Sequence, residues 1–304
     1  MHPIDRSHAR DAAPGLGPIT VIVAHYAPAR DGGQSHRALE HTLGSLLDPA
    51  ISEPPVVLVC DDGSPAHGVL EQPDEGGALR REDANGRSVS VRPLDDPAIR
   101  SLGVRVPAGL QGSWLYLPKH RRAMCKARLW NLAARLAPGE RLVFLDDDHG
   151  FVTDEPLRHF AELLERFPIV IGQVVGRSGR ARPFSSRRVQ GTTFALSASM
   201  LEACGGFGEW TEEVSCGIDS DLWWKLYRRT ARLSGPQACY TSTIRTIDSI
   251  SKRWQSYSGR WTRRRALRRA FEAQHRCVNY RDPEQNPSRR KELWMVDLTE
   301  SAET

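Results

Sequence analysis

Apolar and polar positions alternate in blocks along the first half of the chain. PITVIVAHY (18–26) is a short β-branched run closed by the turn-rich APARDGGQ, and it predicts a buried strand. SHRALEHTLGSLLD then places Leu39, Leu43, Leu46 and Leu47 at helical spacing, with Ser35 as the expected N-cap. PPVVLVCDDGS (54–64) predicts a second buried strand and VSVRPL (89–94) a short edge strand. KHRRAMCKARLWNLAARLA (119–137) has a helical pattern that stops before Pro138 and Gly139, and RLVFL (141–145) predicts a third strong strand. Strands that are apolar throughout and alternate with helices predict an α/β fold with a mostly parallel central sheet flanked by helices.

In such sheets ligands collect beyond the carboxyl ends of the strands. The first strand ends in Ala24-His25-Tyr26, the second in Asp61-Asp62-Gly63-Ser64, and the third in Asp146-Asp147-Asp148-His149. Three adjacent carboxylates repel one another and lose hydration near a core. One such end is readily a solvated acidic turn. Two on one rim point to a bound divalent cation with oxygen ligands. Neither G-x-G-x-x-G nor G-x-x-x-x-G-K-[ST] follows a strand, so neither a dinucleotide fingerprint nor a P-loop is present.

Composition narrows the picture. The chain has 304 residues, 39% of them apolar, enough for a substantial core, and no apolar run approaches the roughly 18 residues of a membrane span. Residues 1–17 read as a mobile tail without the apolar segment of a secretory signal. Six scattered cysteines with no C-x-x-C pair argue against a zinc ribbon or disulfide scaffold and fit the cytoplasm. Net charge is +5, yet residues 251–292 hold 13 Lys/Arg against 4 Asp/Glu, that is +9, leaving −4 elsewhere. Only five of the 42 basic residues are Lys, a skew that reads more simply as genome composition than as phosphate binding. WTRRRALRRAFEAQHRCV (261–278) aligns Leu267, Ala270, Phe271, Gln274 and Val278 on one face, which predicts a C-terminal helix docked on the rest with its arginines solvated. Contact with an anionic membrane surface is the competing expectation, and nucleic-acid binding is disfavoured.

The ordered set V-L-V-C-D-D-G-S, K-A-R-L-W-N-L-A, F-L-D-D-D, G-G-F-G-E (205–209) and G-I-D-S-D-L (217–222) resembles the family 2 glycosyltransferases of the GT-A fold. The resemblance covers residues 18–250 and implies a nucleotide-binding half at 18–148 and an acceptor half at 149–250; the charge pattern places an Arg-rich helical extension at 251–304 after it. It implies an enzyme that moves a sugar from a nucleoside-diphosphate sugar to a hydroxyl acceptor, be it a glycan, a lipid-linked species or a small metabolite. The donor base is expected against Ala24 and Tyr26, with Asp61 or Asp62 accepting from a base N–H and Arg128 near the base or phosphates. Asp146 and Asp147 belong to the D-x-D element, Asp146 near the ribose. Mg2+ or Mn2+ is expected on Asp148 with Asp146, His149 being an alternative ligand.

The same resemblance nominates Asp219 as the general base of an inverting displacement, with Asp221 as fallback, and helix capping as the structural alternative for both. Ile218 stands where the family usually has Glu. No His lies in 238–254 where relatives carry a metal ligand, so Asp248 is expected to substitute, or Arg245 to hold the diphosphate. The 65–118 segment is much longer than is usual in the family, and Trp114, Tyr116, Lys119 and His120 make it a candidate lid or acceptor loop, a surface insertion being the alternative. A nucleotidyltransferase, or a non-catalytic protein binding anionic surfaces through its Arg-rich tail, are the competing functions.

Overall fold

The computed structural model describes residues 18–30, 32–49, 51, 53–72, 79–82, 86–118, 126–184, 190–231, 233–249, 260–277, 282 and 284–299. The N-terminal tail, Lys119, His120, Cys125 and Val278 lie outside them. In chain order the elements are β1 (Ile19–His25), α1 (Gln34–Gly44), β2 (Val56–Asp61), a 3-10 helix (Pro65–Glu71), β3 (Leu79–Glu82), β4 (Ser88–Pro93), α2 (Pro97–Ser101), β5 (Gln111–Tyr116), α3 (Lys126–Leu136), β6 (Arg141–Asp146), β7 (His149–Phe151) and α4 (Pro156–Leu164). They continue with β8 (Ile169–Val175), β9 (Phe194–Ser197), α5 (Ala198–Ala203), α6 (Thr211–Val214), α7 (Ile218–Thr230), β10 (Ala238–Asp248), α8 (Arg260–His275) and β11 (Met295–Asp297).

The strands form one sheet in the order β11-β10-β8-β9-β6-β1-β2-β5-β4-β3, with β7 on β10. Its centre, β6-β1-β2-β5, is parallel; the apolar runs of β1, β2 and β6 predict this, while β5 was not foreseen as a strand. Successive side chains of a strand face opposite sides, so β1 sends Ile22 into one core and Val21 and Val23 into the other. The first core is closed by α3, α5 and α7 through Leu129, Leu201 and Leu222, and the second by α1, α2 and α4 through Leu39, Ile99 and Leu157. Strand β9 is antiparallel between β6 and β8, an insertion that the apolar pattern does not announce.

Four local expectations are corrected. Helix α1 starts at Gln34 behind Gly33 in the left-handed region (φ 76°), so Ser35 is a buried helical residue and not the N-cap. Since α1 ends at Gly44, Leu39, Leu43 and Leu46 are buried but Leu47 is turned out to solvent. The segment 65–118 is no lid over its described length: it adds β5, β4 and β3 to the sheet, and Trp114 and Tyr116 are buried strand residues of β5. VSVRPL becomes β4, one place in from the edge that β3 occupies.

Candidate functional site

Parallel register brings the three acidic strand ends side by side. Ala24 pairs with Cys60 on one side and Asp146 on the other, and His25 with Asp61. Backbone bonds lock the turns beyond: Asp62 N–H donates to His25 O at 3.0 Å and Asp147 N–H to Ala24 O at 3.0 Å. Ala27 N–H donates to Ser64 Oγ at 2.9 Å.

The aspartates on this rim then divide by what they bind. Asp61 is fully buried. One of its oxygens accepts from the Ser64 N–H (2.9 Å) and hydroxyl (2.7 Å), the other from His67 Nδ1 (2.5 Å) and Trp114 Nε1 (3.2 Å). Burial pushes this carboxyl up, but the His67 bond, the His25 and His67 charges and Ser64 outweigh it and hold the group below the ordinary Asp value. Its acceptor capacity is taken up by the protein, so Asp61 has no oxygen left to offer a further donor. Asp147 turns inward too, with Oδ2 at 2.6 Å from His25 Nδ1 and 3.3 Å from the Tyr26 N–H, while the Thr42 hydroxyl donates to its carbonyl at 2.9 Å.

Asp146 and Asp148 face the other way. One ligand atom each from Asp146, Asp148 and His149 lies within 4.8 Å of the others. His149 Nδ1 is 2.7 Å from Asp148 Oδ1, and its buried Nε2 has no hydrogen-bond partner. Burial alone would lower the His149 pKa. The hydrogen bond to Asp148 and the charges of Asp148, Asp146 and Asp248 outweigh that and raise it. Asp248 sits opposite His149 in the β7–β10 pair, 3.8 Å from Arg182, and among the described residues it is not one of the three that converge. Arg245 is exposed and follows a register shift in β10.

The K-A-R segment opens α3, and here the basic residue on the rim is not the expected one. Arg128 is buried and forks onto Glu212 of α6, Nε–Oε1 2.9 Å and Nη2–Oε2 3.0 Å, with Glu209 at 3.6 Å. Lys126 pairs with Asp146, lies 3.9 Å over the Trp130 ring and reaches Gly191 O at 3.4 Å. Two residues along a helix are turned by about 200°, so Lys126 and Arg128 point to opposite sides.

Across the rim stands Asp219 in the first turn of α7. Gly217, in the left-handed region (φ 93°), caps this helix, so neither Asp219 nor Asp221 is its N-cap. Asp219 Oδ1 accepts the Ser220 N–H at 2.8 Å. Burial pushes its carboxyl above the ordinary value and the Asp146 charge adds to this, while Ser220 and Lys126 act against it. A Cβ on Gly191 would lie 3.2 Å from Asp219 Cβ, so the loop before β9 joins Lys126 to Asp219 by close backbone approach. Asp221 is fully buried and committed elsewhere: its Oδ1 accepts from Trp210 Nε1 (2.9 Å) and His275 Nε2 (2.9 Å), and Lys225 Nζ forms an ion pair with its Oδ2 at 2.8 Å. Burial works to raise its pKa, yet His275, Lys225 and Trp210 together lower it. Asp221 therefore anchors α8 and is unsuited to be the fallback base.

No protein-family model matches the chain, and no curated protein does. Among solved structures, the mannosyltransferase PcManGT from Pyrobaculum calidifontis, in complex with GDP-Man and Mn2+, has a TM-score of 0.54 at 20% identity over 93% of this chain and 72% of that one. TarS of S. aureus gives 0.48 at 15% identity over 77% of this chain, which spans 37% of TarS. The 1–349 form of TarS in complex with UDP-GlcNAc gives 0.47 at 15% identity, over 84% of this chain and 66% of that one. The likeness to PcManGT shows the fold, which is of the GT-A type expected from the sequence motifs.

Proposed function

We propose that the chain is a glycosyltransferase that uses a nucleoside-diphosphate sugar and a divalent metal, with Asp219 as general base. The carrying observation is the convergence of the Asp146–Lys126 pair with Asp219, whose pKa is raised, across one sheet rim. A residue that must be unprotonated to accept a proton, yet basic enough to hold it, needs a pKa moved toward neutrality.

The donor set Asp146, Asp148 and His149, with its unpartnered buried Nε2, suits Mn2+ or Mg2+. Such an ion, when bound, would offset charge on the leaving diphosphate. Lys126 adds a second positive charge beside Asp146 and would shift from that carboxylate toward a phosphate. The base would rest between Tyr26 and Asp62. Asp219 accepts the acceptor hydroxyl proton as that oxygen bonds the anomeric carbon and the bond to the diphosphate breaks. A single displacement of this kind inverts the anomeric centre. The acceptor is a hydroxyl compound, and the exposed arginines of α8 are available for an anionic surface on which it is carried.

The test is a thermal-shift panel of nucleoside diphosphates and their sugars, with and without Mn2+. Ligand that binds only the folded state raises Tm by mass action. A Mn2+-dependent rise with one nucleotide, lost in Asp148→Asn, is expected. No rise with any nucleotide in the presence of metal would overturn the proposal.

A further inference from the structure

Behind the acidic rim lies a second cluster that the proposed reaction does not use. His25 ends β1, His36 sits in the first turn of α1, and His67 lies in the 3-10 helix Pro65–Glu71. One ring nitrogen from each lies within 4.8 Å of one from each of the other two. We propose that these imidazoles, backed by Asp61 and Asp147, bind one borderline divalent transition-metal ion, with zinc as the simplest occupant.

The tautomers set the lone pairs. Ionised Asp147 and Asp61 only accept hydrogen bonds, so His25 and His67 present Nδ1–H to them at 2.6 and 2.5 Å. This leaves Nε2 of both rings as an electron-pair donor. A carboxylate behind the far nitrogen of a ligating histidine is the arrangement that orients the ring and raises its basicity at metal sites. His36 Nε2 is 2.9 Å from His67 Nε2. Zinc bonded to imidazole nitrogens at about 2.0–2.1 Å holds neighbouring ligands roughly 3.4 Å apart. The spacings of 2.9 Å and up to 4.8 Å bracket that value.

The independent sign is His25 itself. It is 2% exposed, and its Nε2 has no hydrogen-bond partner. A buried polar nitrogen left without a partner is destabilising, and an ion at the centre of the cluster satisfies it. Trp114 stands edge-on to both His25 (5.5 Å) and His67 (5.7 Å), packing one side of the cluster against the core. The charge also balances, since three neutral rings carry none and the two buried carboxylates match a divalent cation. Imidazole selects zinc and its neighbours, whereas the oxygens of Asp146 and Asp148 select harder ions, so the two clusters would sort metals between them. Because Asp147 holds both His25 and the Tyr26 N–H, occupancy would pin the β1 turn against the acidic turn.

The experiment uses the full chain in an Asp148→Asn background, stripped with chelator and titrated with Co2+ and then with Zn2+ against a chromogenic chelator. One equivalent per chain is expected, with the visible bands of Co2+ in a nitrogen-rich site. His36→Ala, at the half-buried ligand, should lose that equivalent, and Asp61→Asn should weaken it about 10- to 100-fold. X-ray absorption at the zinc edge of the parent protein reads the same shell even if a variant does not fold, and three imidazoles are expected. Absence of a tight equivalent, its survival in His36→Ala, or an oxygen-only shell would overturn the proposal. None of these readouts depends on sugar transfer.

Discussion

Asp219 and Asp221 share one helical turn, yet their surroundings push them in opposite directions. A base must lose its proton to work, so a raised pKa at Asp219 places the acid limb of the kcat/KM profile above the ordinary Asp value of about 3.9. Asp219→Asn should retain the donor-induced thermal shift and lose turnover; substantial turnover in this variant would mean that another group is the base. At the head of α3, Lys126→Gln should weaken donor binding with little effect on Tm. Arg128→Gln strands Glu212 in the interior and should destabilise the fold by about 3–5 kcal/mol in urea unfolding. The sequence pattern K-A-R pointed to this place but favoured the arginine. What decides between the two is the Glu212 carboxylate on α6, 84 residues away and outside any local pattern. The His25–His36–His67 cluster was hidden for the same reason, because its members come from three elements with no ligand-like spacing.

Helix α8 shows what periodicity reveals about an element. The apolar stripe predicted a docked helix, and Phe271 is indeed fully buried against Trp210 and Trp224, with Arg264, Arg265, Arg268 and Arg269 exposed. Periodicity did not reveal the polar anchor, His275 on Asp221, which spans 54 residues. Nor did it reveal that Leu267 sits over Gly217, where a Cβ would lie 2.2 Å from its Cδ1. Docking therefore presses on the N-terminus of α7, the helix that carries Asp219. Phe271→Ala should destabilise by about 3–5 kcal/mol, and Arg264→Gln by no more than about 0.5 kcal/mol. A comparable loss from both would show that charge, and not the buried ring, holds the helix.

Over the whole molecule, β1, β2 and β6 of the parallel centre were legible because they are buried on both faces and read as unbroken apolar runs, whereas β5 (QGSWLY) carries Gly and polar residues and did not read as a strand. Strands β9 and β3 were not legible either, since FALS and LRRE are too short to carry a period. The carboxylates placed by this sheet make stability respond to pH with two signs. Asp61 and Asp221 have lowered values in the folded state, so they contribute stability above about 3.9 that is lost as pH falls through their folded pKa values. Asp219 is raised, so the folded state binds its proton more readily than the unfolded chain, and ionising it at neutral pH opposes folding. Its penalty is relieved as pH falls through the raised value. His149 is raised as well, and the stability it contributes is present below its unfolded value of about 6.5 and lost as pH rises through the folded one. Measured in chelator, Tm should therefore peak in mildly acidic solution and fall on both sides. Asp219→Asn should raise Tm at neutral pH, and its advantage should shrink to nothing as pH drops below the Asp219 pKa. An offset between variant and parent that stays constant with pH would mean that Asp219 does not titrate with a raised pKa, and the assignment of the base would fall with it.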